Sequence, residues 1–171
     1  MGVIKDSFKE KADGIAAEIK GLLKEHGDKP IGEVTLSQVY QGMRGITGLV
    51  TETSLLDAQD GIRFRGYSIP ELQQKLPKAP GGSEPLPEGL FLLMLLGELP
   101  TDEEVQNLSS VWQRRSHVPS HVFATIDALP VSSHPMTQFV VGIMALQTES
   151  QFAKSYAKGL NKKDYWSEVF D

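Results

Sequence analysis

The residues with the clearest potential for chemistry lie in a short glycine-rich stretch around Arg44. Gly42, Gly45 and Gly48 recur at every third position, and Arg44 lies between the first two. Glycines at this spacing let the backbone approach a ligand closely, and an arginine guanidinium can hold phosphate oxygens. The stretch has neither a Gly-Lys-Ser/Thr sequence nor a preceding strand. Two interpretations therefore stay open, a phosphate-binding segment and a plain glycine-rich connector.

The histidines do not form a recognisable catalytic or metal-binding pattern. His117 and His121 have the spacing of a helical zinc pair, but Pro119 between them ends one helix before the next begins. No Glu completes a His-Glu-x-x-His motif. His134 precedes Pro135 at a predicted helix start, so we expect it to bond to the local backbone rather than to act as a base.

Residues 54–65 predict the one β-hairpin of the chain, with strands at about Leu55–Asp57 and Ile62–Phe64. In the second strand apolar residues alternate with Arg63 and Arg65, which places the arginines on the face opposite the core. Structural ion pairing is their expected role. The turn lacks the remaining oxygen ligands and the terminal Glu of a calcium loop, so no metal is predicted there.

Helical spacing of apolar residues predicts an all-α fold of seven to nine helices around this hairpin. Capping boxes, in which Ser or Thr is followed three residues later by Glu or Gln, mark three helix starts. These boxes are Thr35/Gln38, Ser68/Glu71 and Thr101/Glu104. The predicted helices run from Ile4 to Gly27, Thr35 to Tyr40, Ser68 to Leu76, Pro87 past Leu96, Thr101 onward, Ser120 to Leu129 and Pro135 to Ser150, with a last one from Asn161.

Four features of these helices carry specific expectations. The first helix is expected to dock by a single apolar stripe, and residues 90–96 are apolar on every side, which predicts burial all round. Ser133 is expected to cap the helix over 135–150. The last helix has an apolar stripe over 165–170 with nothing obvious to pack on, so the chain is expected to be part of something larger.

Bulk composition excludes several classes of protein. A chain of 171 residues with 40% hydrophobic residues suits one packed domain or a piece of one. The net charge of −5 argues against nucleic acid as the main partner. The chain has no cysteine, so disulfides and thiolate metal sites are impossible. Its longest apolar run is far too short for a membrane span.

Four ordered segments resemble eukaryotic-type citrate synthases. They are YQGMRGITGLVTETS (40–54), LLDAQDGIRFRGYSIPE (55–71), LPEGLFLLMLLGELPTDEEV (86–105) and HPMTQFVVGIMALQTES (134–150). The resemblance covers nearly the whole chain but only the beginning of that enzyme. It implies that residues 1–171 form the amino-terminal portion of an incomplete large domain, without the small domain. Ala58 and Leu92 depart from the family, where proline and tryptophan are frequent.

The resemblance implies an almost wholly helical homodimer that condenses acetyl-CoA with oxaloacetate. In the family an aspartate removes a proton from the acetyl methyl group while a histidine stabilises the enol. A second histidine polarises oxaloacetate, and citryl-CoA is then hydrolysed. Neither a metal nor a resident cofactor is implied, because acetyl-CoA is a substrate.

The resemblance places no catalytic residue in this chain, since none of its histidines matches the catalytic ones. Arg44 matches a family arginine that helps to hold the phosphates of coenzyme A. Lys162 matches a basic residue that, in the family, approaches a coenzyme A phosphate on the partner subunit. Many relatives have arginine at that position, and lysine keeps the charge but loses the bidentate geometry.

The implied partners are the remainder of the enzyme, a second subunit and the substrates acetyl-CoA and oxaloacetate. Helices 120–129 and 134–150 are expected to form the dimer contact. The implied location is the mitochondrial matrix, although residues 1–29 mix Lys with acids and do not read as a transit peptide. Neither nucleic acid nor a membrane span is expected.

Three hypotheses follow for the chain itself. It is the amino-terminal portion of a working citrate synthase, as a split enzyme, a processed piece or a partly built chain. Alternatively, it is a non-catalytic interaction or assembly subunit derived from that enzyme, or a truncated gene product without an independent role. In each case the chain alone is expected to be inactive.

Overall fold

A computed structural model describes residues 2–170 and confirms a mostly helical fold with one small sheet. Within these residues there are nine α-helices, two 3-10 helices and three strands. The α-helices are α1 Gly2–His26, α2 Leu36–Tyr40, α3 Ile69–Lys75, α4 Pro87–Leu96, α5 Asp102–Arg114, α6 Ser120–Asp127, α7 Pro135–Ala145, α8 Gln151–Ala157 and α9 Tyr165–Val169. The strands are β1 Ser54–Asp57, β2 Gly61–Phe64 and β3 Tyr67–Ser68, and the 3-10 helices are Leu146–Glu149 and Lys162–Asp164.

The described residues form two structural units. One unit consists of residues 6–106, and the other consists of residues 2–5 together with 107–170. The first contains the sheet and the glycine-rich stretch around Arg44. The second contains helices α6 to α9.

The sheet is antiparallel in the order β1-β2-β3 and contains the predicted hairpin. Leu55 lies opposite Arg63 in the first pair, and Arg63 lies opposite Ser68 in the second. The sequence does not predict the two-residue strand β3, because Gly66 is expected to end the second strand of the hairpin. Arg65, at φ 48°, and Gly66, at φ 87°, reverse the chain so that it continues as a third strand.

The predicted burial of the hairpin is only partly correct. Phe64 packs against the core, as expected from the alternating pattern. The whole of β2 is half-buried, however, including Arg63, and Arg65 just after it is half-buried too, whereas Leu55 and Leu56 of β1 are largely exposed. The alternation therefore does not separate a buried from a solvent face here.

All three predicted capping boxes are present. The Thr35 hydroxyl accepts from the Gln38 backbone N–H at 3.3 Å, and the Gln38 side chain accepts from the Thr35 N–H at 3.0 Å. Reciprocal bonds of the same kind begin α3 at Ser68 and Glu71 and α5 at Thr101 and Glu104. Because each box satisfies two otherwise unpaired N–H groups, these helix starts are determined locally.

The core of the first unit lies where α3, α4 and the sheet meet. Leu72 of α3, Leu76 directly after it and Leu93 of α4 are 5%, 4% and 0% exposed. Phe64, Tyr67, Leu90 and Leu99 pack against them. Helix α4 is not buried all round, since Phe91 is 39% exposed, so that prediction is wrong within this chain.

Helix α1 also differs from its prediction. Its apolar stripe is half-buried at Ile4 and Phe8 but exposed from Ile15 to Leu23, and the helix contains no fully buried residue. The stripe therefore docks along its first part only.

In the second unit α6 and α7 pack closely through Gly142. A Cβ placed there would lie 2.9 Å from Ile126 Cδ1, so only glycine fits without movement of that side chain. Helix α7 is capped by His134, whose Nδ1 accepts from the Met136 N–H at 3.1 Å. The prediction of Ser133 as the cap is wrong, while the local backbone role predicted for His134 is confirmed.

The aromatic stripe near residue 165 has a partner that was not predicted. Helix α8 presents Phe152 and Tyr156 to Tyr165, with ring centroids 5.3 Å and 5.9 Å from the Tyr165 ring. The Ser155 hydroxyl donates to Glu168 at 2.7 Å. Within its own unit α9 is thus held by α8, although Val169 remains largely exposed.

Candidate functional site

The segment that carries Arg44 is a turn-rich loop, residues 41–53, which connects α2 to β1. Gly42, Met43 and Gly45 have φ values of 73°, 63° and 74°. Two of these are glycines, for which the conformation is unstrained, but Met43 adopts it against the preference of its side chain. The loop therefore depends on local hydrogen bonds to keep its shape.

Those bonds fold the start of the loop back onto α2. The Met43 N–H donates to the Gln38 carbonyl at 2.8 Å, and the Gly42 N–H donates to the Val39 carbonyl at 3.3 Å. The Gln38 side-chain amide donates to the Gly45 carbonyl at 3.5 Å. As a result the two residues on either side of Arg44 are both attached to Gln38.

Arg65 holds the other end of the loop. Its backbone N–H donates to the Thr53 carbonyl at 2.9 Å, and its Nη1 donates to the Glu52 carbonyl at 3.4 Å. Nε and Nη2 of the same guanidinium donate to the Met94 carbonyl at 3.2 Å and 2.8 Å, near the end of α4. The side chain is 18% exposed and also lies 3.9 Å from the Glu52 carboxylate. The structural role predicted for Arg65 is confirmed, but its principal partners are carbonyl groups.

The neighbouring arginine, Arg63, is structural as well. Its Nη1 donates to the Gly66 carbonyl at 3.1 Å and lies 3.7 Å from the Glu71 carboxylate. Both hairpin arginines are therefore engaged with other groups of the same unit.

Arg44 itself is exposed, and the structure gives it no hydrogen bond or ion pair with any residue in 2–170. Its guanidinium is planar and presents several donors, so it can form two parallel bonds to phosphate or carboxylate oxygens. An unengaged arginine in a loop that is tied at both ends is suited to bind an anion.

Lys162, the second predicted site residue, begins the 3-10 helix Lys162–Asp164 in the other unit. Asn161 caps that turn, and its Oδ1 accepts from the Lys163 N–H at 3.1 Å. The Lys162 side chain is exposed and makes no hydrogen bond or ion pair within the described part of the chain. Each of the two predicted residues thus offers a free cation within its own unit.

The histidines lie outside any catalytic arrangement. His121 Nε2 lies 3.1 Å from the Ala145 carbonyl, so it serves the α6–α7 contact, and His117 lies in the connection before α6. Among residues 2–170, no group of three or more acidic or histidine side chains is placed to hold a metal ion. No helix in this range combines the length and apolar character needed to cross a bilayer.

Two carboxyl groups of the hairpin region have shifted pKa values, and both shifts have local structural causes. The backbone N–H groups of Asp60 and Gln59 lower the pKa of Asp57, and the Ser68 hydroxyl and N–H lower the pKa of Glu71. Each carboxylate is stabilised in its charged form by a turn or a cap. Neither has the raised pKa expected of a general acid.

Comparison with known proteins decides the family. A family model described as "Citrate synthase, C-terminal domain" matches residues 42–171, which include the Arg44 loop and Lys162. The chain belongs to the citrate synthase family. The resemblance to citrate synthases in four sequence segments is therefore confirmed. The expectation that this chain corresponds to a portion of such an enzyme is confirmed as well.

The curated relatives match almost the whole chain. The mitochondrial citrate synthase of Aspergillus niger is 55% identical over 168 residues, which are 98% of this chain and 35% of the relative. A protein of Yarrowia lipolytica named "2-methylcitrate synthase, mitochondrial" is 53% identical over 98% of this chain and 36% of the relative. The peroxisomal citrate synthase of Saccharomyces cerevisiae is 51% identical over the same shares.

Two conclusions follow from these alignments. This chain spans about 35% of the length of the curated relatives that it matches. The predicted mitochondrial assignment agrees with the names of the first two of these relatives, whereas the third is named peroxisomal.

Sequence reasoning found Arg44 and Lys162 but missed what holds the Arg44 loop. The capping box identified Gln38 only as part of a helix start, and the hairpin pattern identified Arg65 only as a surface ion-pair partner. One signal was available for Gln38: it is a glutamine where the other two boxes have glutamate.

Proposed function

We propose that this chain is the amino-terminal portion of an enzyme that condenses acetyl-CoA with oxaloacetate to form citrate and coenzyme A. The proposal is supported by the family membership and by alignment of 98% of the chain with citrate synthases. The partner of the chain is then the remainder of the enzyme, on the same polypeptide or on another. We call the combination of both parts the assembled enzyme.

Within that enzyme, Arg44 and Lys162 bind the phosphates of coenzyme A. The observation that carries this assignment is the absence of any hydrogen-bond or ion-pair partner for either cation among residues 2–170, although each lies in a locally ordered turn. Acetyl-CoA is a substrate, and the proposed reaction uses no resident cofactor.

The decisive experiment replaces Arg44 with alanine in the assembled enzyme. Charge-assisted hydrogen bonds contribute roughly 1.5–3 kcal/mol, so KM for acetyl-CoA should rise about ten- to a hundredfold. The affinity for oxaloacetate should hardly change. Lys162→Ala should act in the same direction with a smaller effect, because an ammonium lacks the bidentate geometry.

Stability measurements provide the control. Neither the Arg44 nor the Lys162 side chain has a hydrogen-bond or ion-pair partner among residues 2–170, so neither variant should change the unfolding midpoint. An Arg44→Ala protein that unfolds while its surviving fraction binds acetyl-CoA normally would make Arg44 a structural residue and remove it from the site.

The isolated chain should not catalyse the condensation. None of its four histidines matches a catalytic histidine of the family, and neither the proton-abstracting aspartate nor the oxaloacetate-binding arginines have counterparts here. Citrate formation by rigorously purified protein of 171 residues would contradict this.

One relative points to a second candidate reaction. The Yarrowia lipolytica protein is named a 2-methylcitrate synthase and is nearly as similar as the citrate synthases. Its named product carries one methyl group more than citrate. The ratio of kcat/KM values for acetyl-CoA and propionyl-CoA, measured on the assembled enzyme, distinguishes the two reactions.

Helices α6 and α7 form the proposed contact with a second subunit. Phe123 of α6 and five apolar residues of α7 are more than half exposed, which is unusual for a monomer surface. The α7 residues are Met136, Phe139, Val140, Ile143 and Met144. A two-fold axis would place this surface against its own copy.

The alternative is a non-catalytic interaction or assembly subunit that uses the same surface. A chain that associates through α6 and α7 but never acquires coenzyme A binding, whatever second chain is supplied, would favour this alternative. Gain of acetyl-CoA binding on mixing with the remaining part of the enzyme would favour the citrate synthase.

We assign the enzyme to the mitochondrial matrix, in keeping with the names of the Aspergillus niger and Yarrowia lipolytica relatives. Fractionation of the source cells, with citrate synthase followed by immunodetection, tests the assignment. Recovery in peroxisomes instead would align the protein with the peroxisomal yeast relative.

A further inference from the structure

The capping box of α2 differs from the other two in a single chemical group. The residue three positions after its cap is Gln38, whereas the boxes of α3 and α5 have Glu71 and Glu104 at that position. A glutamate side chain can only accept hydrogen bonds when it is ionised, and a glutamine can accept through its oxygen and donate through its nitrogen. Gln38 therefore retains a donor after the cap is complete.

The structure shows where that donor goes. The Gln38 Oε1 accepts from the Thr35 N–H at 3.0 Å and from the Thr35 hydroxyl at 3.2 Å, which completes the cap. Because the cap requires the oxygen on that side, the amide nitrogen faces the Arg44 loop. There Nε2 donates to the Gly45 carbonyl at 3.5 Å.

The backbone of Gln38 binds the other side of Arg44. Its carbonyl accepts from the Met43 N–H at 2.8 Å, and Met43 has a φ of 63° that disfavours a side chain of its type. Arg44 is thus flanked by two attachments to one residue at the base of the loop. A shift at either attachment would change the direction in which the guanidinium leaves the backbone.

We propose that Gln38 is a positioning residue for the acyl-CoA substrate, and that it acts through Arg44. This inference rests on the proposed role of Arg44 in binding coenzyme A phosphate. Gln38 links the start of α2 to the loop, so the helix serves as a fixed base from which Arg44 projects. The exposed turn then holds one arrangement before the ligand arrives, and less ordering is needed on binding.

The experiment replaces Gln38 with glutamate in the assembled enzyme. Glutamate is a standard capping-box residue, so Gln38→Glu keeps the cap of α2, removes the donor to Gly45 and adds a negative charge. The lost bond is neutral and long, so KM for acetyl-CoA should rise about three- to tenfold, with kcat and the unfolding midpoint unchanged. Hydrogen exchange of the peptide spanning residues 41–50 should become faster.

A matched control uses the box of α5. Glu104→Gln makes the reverse exchange of the same two side chains at a cap in which both glutamate contacts go to Thr101. It should leave KM unchanged, so a rise confined to Gln38→Glu assigns the effect to the loop rather than to capping.

A double variant separates positioning from the new negative charge. If Gln38 acts through Arg44, adding Gln38→Glu to Arg44→Ala should raise KM no further. A further rise in that background would mean that the glutamate repels the ligand directly, which would overturn the proposal.

Two other outcomes have distinct meanings. If Arg44→Ala raises KM but Gln38→Glu leaves both KM and loop exchange unchanged, Gln38 is only a helix cap and the role of Arg44 stands. If Arg44→Ala itself leaves KM unchanged, the proposed coenzyme A contact fails, and the positioning role of Gln38 fails with it.

Discussion

The core at α3 and α4 and the pair α6–α7 contain similar apolar residues, but these residues differ in burial. Leu72, Leu76 and Leu93 are between 0% and 5% exposed. In α7, by contrast, Met136, Phe139 and Ile143 are all more than 50% exposed. Both regions are rich in apolar residues, and only the first is covered by this chain.

The difference separates the apolar residues that stabilise the chain from those that are left exposed and are available for association. Burial of apolar area contributes to folding only where the chain itself excludes water. The core leucines should therefore determine the free energy of unfolding, whereas the exposed residues of α7 should determine association. The following predictions test that division, from the largest expected effect on unfolding to the smallest.

Leu93→Ala should have the largest effect. Leu93 is 0% exposed, and removal of a buried leucine side chain leaves a cavity that costs about 2–5 kcal/mol. Urea unfolding followed by circular dichroism measures the loss. The matched control is Leu56→Ala in β1, where the side chain is 76% exposed and the same truncation should have little effect. Equal losses in the two variants would contradict the assignment of the core.

Gly142→Leu should be the next most damaging change. The side chain would enter the space occupied by Ile126 and Val122 and force α6 and α7 apart, at a cost of about 1–3 kcal/mol. Gly142→Ala provides the control. Its single methyl group requires only a small shift of the flexible end of Ile126, and the higher helix propensity of alanine offsets that cost. A Gly142→Leu protein of normal stability would show that the two helices do not depend on this close approach.

Ser68→Ala should have a smaller effect, about 1 kcal/mol for a lost helix cap. The Ser68 hydroxyl also lowers the pKa of Glu71, so the variant should raise that pKa toward its ordinary value. A carboxyl whose pKa is lowered by folding stabilises the protein above its unfolded pKa, and this stabilisation disappears as the pH falls through the folded value. Titration of the Glu71 carboxyl by NMR measures the shift, with Ser68→Thr as the variant that keeps the cap.

Phe139→Asp should scarcely affect unfolding but should abolish association. Phe139 is 61% exposed, so its replacement removes little buried area from the chain itself, whereas a buried carboxylate opposes a subunit contact strongly. Analytical ultracentrifugation gives the oligomeric state, and circular dichroism gives the helix content. Val131→Asp is the control, because Val131 is fully exposed outside the two helices. Should the oligomer survive in Phe139→Asp, the contact lies on another surface.

Local patterns predicted most elements of the fold because their causes are local. The boxes at Thr35, Ser68 and Thr101 involve side chains three residues apart, so the helix starts follow from sequence alone. Helix α8 was missed because its apolar residues are few and its stability comes from packing against Tyr165. The cap of α7 was assigned to Ser133 rather than His134, because a histidine is an unusual cap.

The proposed site residue Arg44 shows the same limit. Arg44 was recognised from its glycine neighbours and from the family resemblance, yet the sequence could not show that its side chain is unengaged. For the hairpin arginines the alternation predicts structural ion pairing, but it does not identify the main partners of Arg65, which are the carbonyl of Met94 near the end of α4 and the carbonyl of Glu52. Residue type alone does not distinguish an arginine that binds a ligand from one that binds the backbone.

The sequence by itself determined the family, the order of the helices and the hairpin, because motifs and caps depend on residues near one another in the chain. Only the tertiary structure decided which of these residues contact other groups of the chain and which remain free. It engaged Arg65 with carbonyls from two distant segments, attached both sides of Arg44 to Gln38, and left the apolar face of α7 uncovered. The physical reason is that a hydrogen bond or a buried contact requires two groups to meet in space, and their sequence separation does not report that meeting.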